Sequence, residues 1–219
     1  MVRWKNSYYL MRHGQSEANV AGLIVSDPVR GCNAFGLTRE GERQVIDSAA
    51  RLEKKPSLIL CSDFLRTRQT AQLVAAQLEL PAPVLEPGLR ERYFGCYEGE
   101  SDDCYQTVWA QDAVQEDHPE RKCSKDETHN RVELPQAVLH RGLGILKRLE
   151  STVAGEVVLL VSHGDMVQIL QTAFAGLPAF QHRQLPHHQT AEIKALVIED
   201  QSSINPELLD AWQRITGLE

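Results

Sequence analysis

The chain has no C-x-x-C pair, no apolar run long enough to cross a membrane and no surplus of positive charge. Its five cysteines, Cys32, Cys61, Cys96, Cys104 and Cys123, are odd in number and irregular in spacing. A zinc ribbon or a disulfide framework needs regularly placed pairs, so reduced thiols are expected. No stretch approaches the roughly 18 consecutive apolar residues of a membrane span. The start, Met1-Val2-Arg3-Trp4-Lys5-Asn6, lacks the apolar core of a secretory signal, and the expectation is a cytoplasmic protein with no membrane partner. A net charge of -7 at pH 7 argues against a nucleic-acid partner or an anionic membrane surface, both of which select a basic face. It also means that an anionic substrate must be drawn in by local charge. Internal repeats, low-complexity tracts and a clear linker are absent too. The 219 residues, 42% hydrophobic and 24% charged, are therefore read as one ordinary globular domain, 1–219, with a full core.

What is present is an alternation of short apolar runs with amphipathic stretches. Residues 7–12 read as a buried strand, with a helix starting after Gly14. Residues 22–37 hold Gly22, Pro28, Gly31 and Gly36 and read as a loop. Thr38 is the N-cap of a helix running to about Lys54; with Gly41 three residues on, no capping box is expected. Residues 57–61 form a second strand, and Ser62-Asp63 cap a helix carrying Leu65, Ala71, Leu73, Val74 and Leu78. Val84-Leu85 follow as a third strand. The polar stretch 112–131, with Pro119, reads as a lid-like insertion with little regular structure. A helix over 134–151 admits Pro135 in its first turn. A strand over 156–162, a helix from about Asp165, a last strand over 190–197 and a terminal helix from Pro206 complete the order. Strands alternating with helices predict an α/β domain with a mainly parallel sheet.

Two of these strands end in His-Gly. Arg12-His13-Gly14 closes the first, and Ser162-His163-Gly164-Asp165 follows the apolar run from Val157. In a parallel sheet, sites gather at the carboxyl ends of strands. Free N–H groups at the following helix start favour an anion, and Gly14 would let a phosphate approach the backbone. Arg12 offers a planar fork for phosphate oxygens, and a neutral imidazole can attack phosphorus. Arg66, about a turn into its helix, can point at the same edge. Leu89-Arg90-Glu91-Arg92 adds a carboxylate between arginines.

Taken in order, Arg12-His13-Gly14-Gln15-Ser16 with Asn19, Gly36-Leu37-Thr38 with Gly41, Ser62 with Arg66 and Gln69-Thr70-Ala71, Glu91 with Gly95 and Glu98-Gly99, and His163-Gly164 resemble the histidine phosphatase superfamily, its phosphoglycerate-mutase-like group. The resemblance covers residues 8 to 164 and implies a three-layer α/β/α sandwich with a mainly parallel central sheet. It implies His13 as nucleophile, with Arg12, Arg66 and His163 holding the phosphoryl oxygens. Asn19 would add a hydrogen bond, and Glu91 would act as general acid and then as base. Gly14, Gln15, Ser16, Gly164 and Arg92 are the further candidates for contact with phosphate or substrate. Burial would raise the Glu91 pKa and the arginines would lower it, a balance the residues leave open. No metal or other cofactor is implied, because arginines and histidines already supply positive charge.

The short run from Glu91 to Gly99 resembles the phosphatase branch, so hydrolysis of a small-molecule phosphate ester is expected. Mutase-type transfer and a non-catalytic phosphate-binding module are the alternatives. A metal hydrolase built on His13, His163 and Asp165 would instead be sensitive to chelators. The chain departs from many relatives at Ala34-Phe35-Gly36, at Gln168 and over Pro186-His187-His188-Gln189-Thr190, which leaves the substrate open. Specificity is assigned to the loop 22–37 and a cap insertion around 100–132, with Arg92, Arg131 or Lys125 reaching a second anion. Gln15 and Ser16 read equally as helix caps, Arg68 as an exposed helix residue, and Glu98 as an organiser of its loop. Glu17 reads as a first-turn carboxylate, His187-His188 as a solvent-facing pair, and Trp109 as packing or cap lining. Oligomeric state is open, a dimer included.

Overall fold

A computed structural model describes residues 4–114 and 131–197. The expected terminal helix from Pro206, and Lys125, lie outside the described residues. The sheet has five strands in the order β3-β2-β4-β1-β5: β1 is Ser7–Arg12, β2 Leu58–Cys61, β3 Val84–Leu85, β4 Val157–Ser162 and β5 Ile193–Ala195. All neighbours are parallel except β5, which runs antiparallel to β1 at the edge.

Side-chain alternation on the two central strands sorts the helices into two layers. Tyr8, Leu10, Val158 and Leu160 point to one face, where Leu139, Leu143 and Leu146 of α6 (Pro135–Thr152) and Val167 and Leu170 of α7 (Gly164–Phe174) pack on them. Met11, Leu159 and Val161 point to the other, against Val45 and Ala49 of α3 (Arg39–Ala50) and Ala71 and Val74 of α4 (Leu65–Gln77). The central strand β4 is buried on both faces, and so reads in sequence as an unbroken apolar run. The fold is the three-layer, mainly parallel sandwich expected.

Local differences have physical causes. Helix α1 is only Glu17–Ala21, because Gly22 ends it in the left-handed region at φ 61°. The loop before Thr38 holds one helical turn, α2 (Pro28–Gly31), started by Asp27, whose side chain accepts from Val29 N. Ser62 and Asp63 do not form the N-cap of α4; that position is Phe64, with no side-chain cap bond. Ser62 is turned to His163 and Asp63 to Arg90 instead. The cap region contains a helix, α5 (Cys104–Val114), that alternation did not reveal, since only Val108 and Asp112 on it are buried. The last strand is shorter than expected, because Ala191 takes φ 60° and bends the chain ahead of it. Cys96 is disulfide-bonded, against the expectation of reduced thiols throughout. Cys32, Cys61 and Cys104 are free. Sequence spacing does not register a pairing made by tertiary proximity. No helix among the described residues is long and apolar enough to cross a membrane.

Candidate phosphate-ester site

β1 and β4 pair in step, Arg12 opposite Ser162, so the residue following each strand is a histidine at the same carboxyl edge. The His13 and His163 rings lie 5.3 Å apart, edge to face at 67°. Arg66 enters from the first turn of α4, after β2. Glu91 enters just beyond the short helical turn that follows β3. Arg12, His13, Arg66, Glu91 and Gly164 line one cleft of about 210 Å³.

His13 is buried. Its Nδ1 faces the Gly14 carbonyl at 2.7 Å, and its Nε2 lies 3.1 Å from Arg66 Nε. A guanidinium only donates, so Nε2 is the acceptor and Nδ1 carries the proton. Burial first, then the charges of Arg66 and Arg12, holds this imidazole well below the usual histidine range. The ring is therefore neutral, with its lone pair on Nε2.

His163 meets Ser62 Oγ at 2.9 Å through Nε2. Ser62 Oγ also accepts from Phe64 N at 3.3 Å. The other ring nitrogen, His163 Nδ1, is buried without a partner. Arg12 Nε and Arg66 Nη1 are buried without partners as well. Other atoms of both arginines are anchored: Arg66 Nη2 to Val25 O at 2.9 Å, and Arg12 Nη1 to His188 O at 2.8 Å. Rigid cations with unspent N–H groups around a neutral imidazole suit an anion with several oxygens, because unpartnered buried donors are otherwise costly.

Glu91 Oε1 accepts from Arg92 N at 2.9 Å and Met166 N at 3.3 Å. Burial, joined by the Asp165 charge, raises its carboxyl pKa to about 7 against the Arg92 N–H and the two arginines. The balance left open by the residues thus falls on the side of burial.

The remaining expected residues divide. Ser16 and Asn19 line the cleft and cap each other, Ser16 N and Oγ donating to Asn19 Oδ1 at 3.0 and 2.9 Å. Gln15 instead accepts from Thr38 Oγ1 at 2.8 Å and does not line the cleft. Gly14 is required by packing: a Cβ there would lie 2.5 Å from Gly41 O, where α3 comes close. Arg92 is corrected. Its guanidinium is fully buried and bidentate on Asp112 at 2.7 and 3.0 Å, with Nε on Glu133 O at 2.7 Å, so it has little left for a substrate anion. Arg131 does not line the described cleft. Arg68 bonds Cys32 O at 2.9 Å, outside the cleft. Glu98 Oε2 accepts from Ser26 N, Ser26 Oγ and Asp27 N at 2.6, 2.7 and 3.0 Å. His188 is not solvent-facing: it is fully buried, while His187 is exposed and lines the cleft.

Of the further lining residues, Trp109 takes the cap-lining place offered for it, and Tyr105 escaped the sequence. Tyr105 and Trp109 of α5 stack at 5.3 Å with planes 9° apart and wall the cleft. Trp109 Nε1 donates to both oxygens of Asp165 at 3.0 Å, and the Arg183 guanidinium lies 3.7 Å over its ring. The signal for Asp165 was its place in the first turn after His163; Tyr105 gave none. Among the described residues, no three His, Cys, Asp or Glu side chains are grouped to hold a metal ion.

The sequence matches the histidine phosphatase superfamily (branch 1) over residues 8–207. It is 25% identical over 217 residues to a metal-independent phosphoserine phosphatase of Arabidopsis thaliana, covering 95% of this chain and 82% of that one. It is 32% identical over 181 residues to a probable phosphoglycerate mutase of Photorhabdus laumondii, covering 81% and 78%. Among solved structures, a mycobacterial glucosyl-3-phosphoglycerate phosphatase in complex with VO3 shares the fold at TM-score 0.69 and 23% identity, covering 86% and 91%. The matched span takes in both histidines, Arg12, Arg66 and Glu91, and the chain belongs to the histidine phosphatase superfamily, branch 1.

Proposed function

We propose that this chain is a phosphatase that hydrolyses phosphomonoesters of small metabolites through a phosphohistidine on His13. The observation that carries the reading is the neutral His13 ring, with its Nε2 lone pair in a site where N–H groups of Arg12 and Arg66 and the Nδ1 of His163 are buried without partners. His13 Nε2 attacks phosphorus, and the bond to the ester oxygen breaks as the Glu91 proton passes to that oxygen. The arginines and His163 meet the equatorial oxygens, where charge gathers in the transition state. Glu91, now a carboxylate, takes a proton from water. The water oxygen displaces His13 from phosphorus, which releases phosphate and returns Glu91 to its protonated form. Oε1 is held by two backbone N–H groups, which leaves Oε2 for the proton.

The test is phosphate release from a panel of phosphomonoesters in EDTA, with His13→Ala alongside. Release that survives EDTA and vanishes in the variant is expected, with an acid-labile, base-stable phosphoenzyme trapped in the wild type. Release that requires added metal, or that persists in His13→Ala, would overturn the reading. Similarity to a probable phosphoglycerate mutase favours a second reading, return of the phosphoryl group to the substrate. Interconversion of phosphoglycerates faster than phosphate release would select it.

A further inference from the structure

We propose that Asp165 is a positioning residue for this reaction: its carboxylate, clamped between α5 and Arg92, keeps the proton on Glu91 until the leaving group takes it. The proposal rests on the reading of Glu91 as general acid. Asp165 is buried in the first turn of α7 and lines the same cleft as Glu91. The next residue, Met166, donates its N–H to Glu91 Oε1 at 3.3 Å, which ties the two carboxyl groups to one turn of backbone. Both Asp165 oxygens accept from Trp109 Nε1 at 3.0 Å, and Oδ2 also faces Arg92 Nη1 at 3.4 Å. A carboxylate so occupied serves as an acceptor and a charge, not as a proton donor. Glu91 has only a backbone N–H pair on one oxygen and can keep a proton on the other.

The surrounding groups sharpen the role. Glu91 is faced by Arg12 from β1, Arg66 from α4, Tyr105 from α5 and Asp165 from α7. Burial and neighbouring negative charge hold Tyr105 far above neutrality as an uncharged phenol. Asp165 in turn is faced by Arg92, Tyr105, His182, Arg183, His187 and Arg12. Burial lowers His182, and partial burial of the ring with the charges of Arg12 and Arg183 lowers His187, so both are neutral near pH 7. Among the described residues, Asp165 is thus the negative charge that offsets Arg12 and Arg66 at Glu91. Arg92 does not cancel it, because that one guanidinium is shared between two carboxylates, Asp112 and Asp165, which leaves a net negative charge. Two carboxyl groups in one buried site do not readily ionise together, and Glu91, whose Oε2 receives no donor among the described residues while both Asp165 oxygens do, retains its proton.

The test is Asp165→Asn, which keeps the shape and removes the charge. kcat/KM for glycerol 2-phosphate is measured against pH beside the wild type; the ester's own ionisation is common to both. The expected result is a descending limb moved to lower pH, with about a tenfold loss on the basic side for each unit moved and activity retained on the acid side. With p-nitrophenyl phosphate, whose leaving group departs without a proton, the loss shrinks. Trp109→Phe removes the N–H but leaves the carboxylate and its Arg92 contact, so its limb moves less than that of Asp165→Asn. An equal loss at every pH in Asp165→Asn, or the same shift in Trp109→Phe, would make Asp165 merely structural and overturn the proposal. A carbon-13 titration of Glu91 in the wild type needs no variant, and a carboxyl titrating in the ordinary carboxylate range would also overturn it. Glu91→Gln separates the two readings. If that variant keeps the wild-type limb, Glu91 is not the general acid, and the fault lies in the assigned mechanism, not in Asp165.

Discussion

Arg66 Nε lies 3.1 Å from His13 Nε2, so a guanidinium that keeps an unpartnered buried Nη1 also sets the tautomer of the imidazole in the cleft. Its charge is the second cause, after burial, of the depressed His13 pKa. Replacing Arg66 by Gln removes that charge. His13 is expected to titrate closer to the ordinary histidine value in imidazole NMR. Phosphate release is expected to fall by about 10²–10³-fold, the usual loss of one oxyanion donor. An unmoved His13 titration would assign the depression to burial alone.

Glu91→Gln keeps the shape of the carboxyl group and removes its titration. Hydrolysis of an alkyl phosphate below pH 7 is expected to fall by about 10²–10⁴-fold. The loss should be much smaller for p-nitrophenyl phosphate. Equal losses on both esters would mean that Glu91 acts before or after the proton-transfer step.

His188 is fully buried, both ring nitrogens lack partners, and burial lowers its pKa to about 4. A lowered folded value means that the unfolded chain takes up the proton first. Its contribution to stability is complete above about pH 6.5 and is lost as pH falls towards 4. His188→Leu cannot be protonated. Compared with the wild type, it should lose less stability between pH 7 and pH 4, by up to roughly 3 kcal/mol. Denaturant unfolding at a series of pH values measures this. Parallel curves would show that His188 does not contribute to acid unfolding.

Two glycines should respond in opposite directions to alanine. At Gly41 a Cβ would lie 2.0 Å from Gln15 O, where α3 meets the loop after His13; Gly41→Ala should lower the melting temperature and activity together. At exposed Gly144 in α6 a Cβ would meet nothing within 4 Å, so Gly144→Ala should stabilise by about 0.4–1 kcal/mol with activity unchanged. A stable, fully active Gly41→Ala would show that the backbone contact can relax.

Arg92→Met removes the guanidinium from buried Asp112 and should cost about 3–5 kcal/mol in urea unfolding. Arg92→Met with Asp112→Leu should recover only part of that loss, because buried Asp165 still loses its Arg92 partner. A stable single variant with a raised KM would instead restore the expectation that Arg92 meets the substrate.

The sequence by itself determined the α/β alternation, and hence the sheet edge on which the site is built. Each His-Gly directly follows an apolar run, and a buried parallel strand must end where its following helix begins. His13 and His163 were therefore legible as neighbours before their pairing was seen, as was Arg66 one turn into α4. What was not legible depends on partners far apart in the chain. Arg92 reads as a free cation until α5 brings Asp112 against it, 20 residues away. The close approach of Gly41 O to Gly14 is likewise invisible until α3 packs there. The Glu91 proton was undecided because burial and charge oppose each other. Only the tertiary structure supplies the burial and places Asp165 as the second carboxylate, since desolvation and Coulomb energy depend on distances through space, not on positions along the chain.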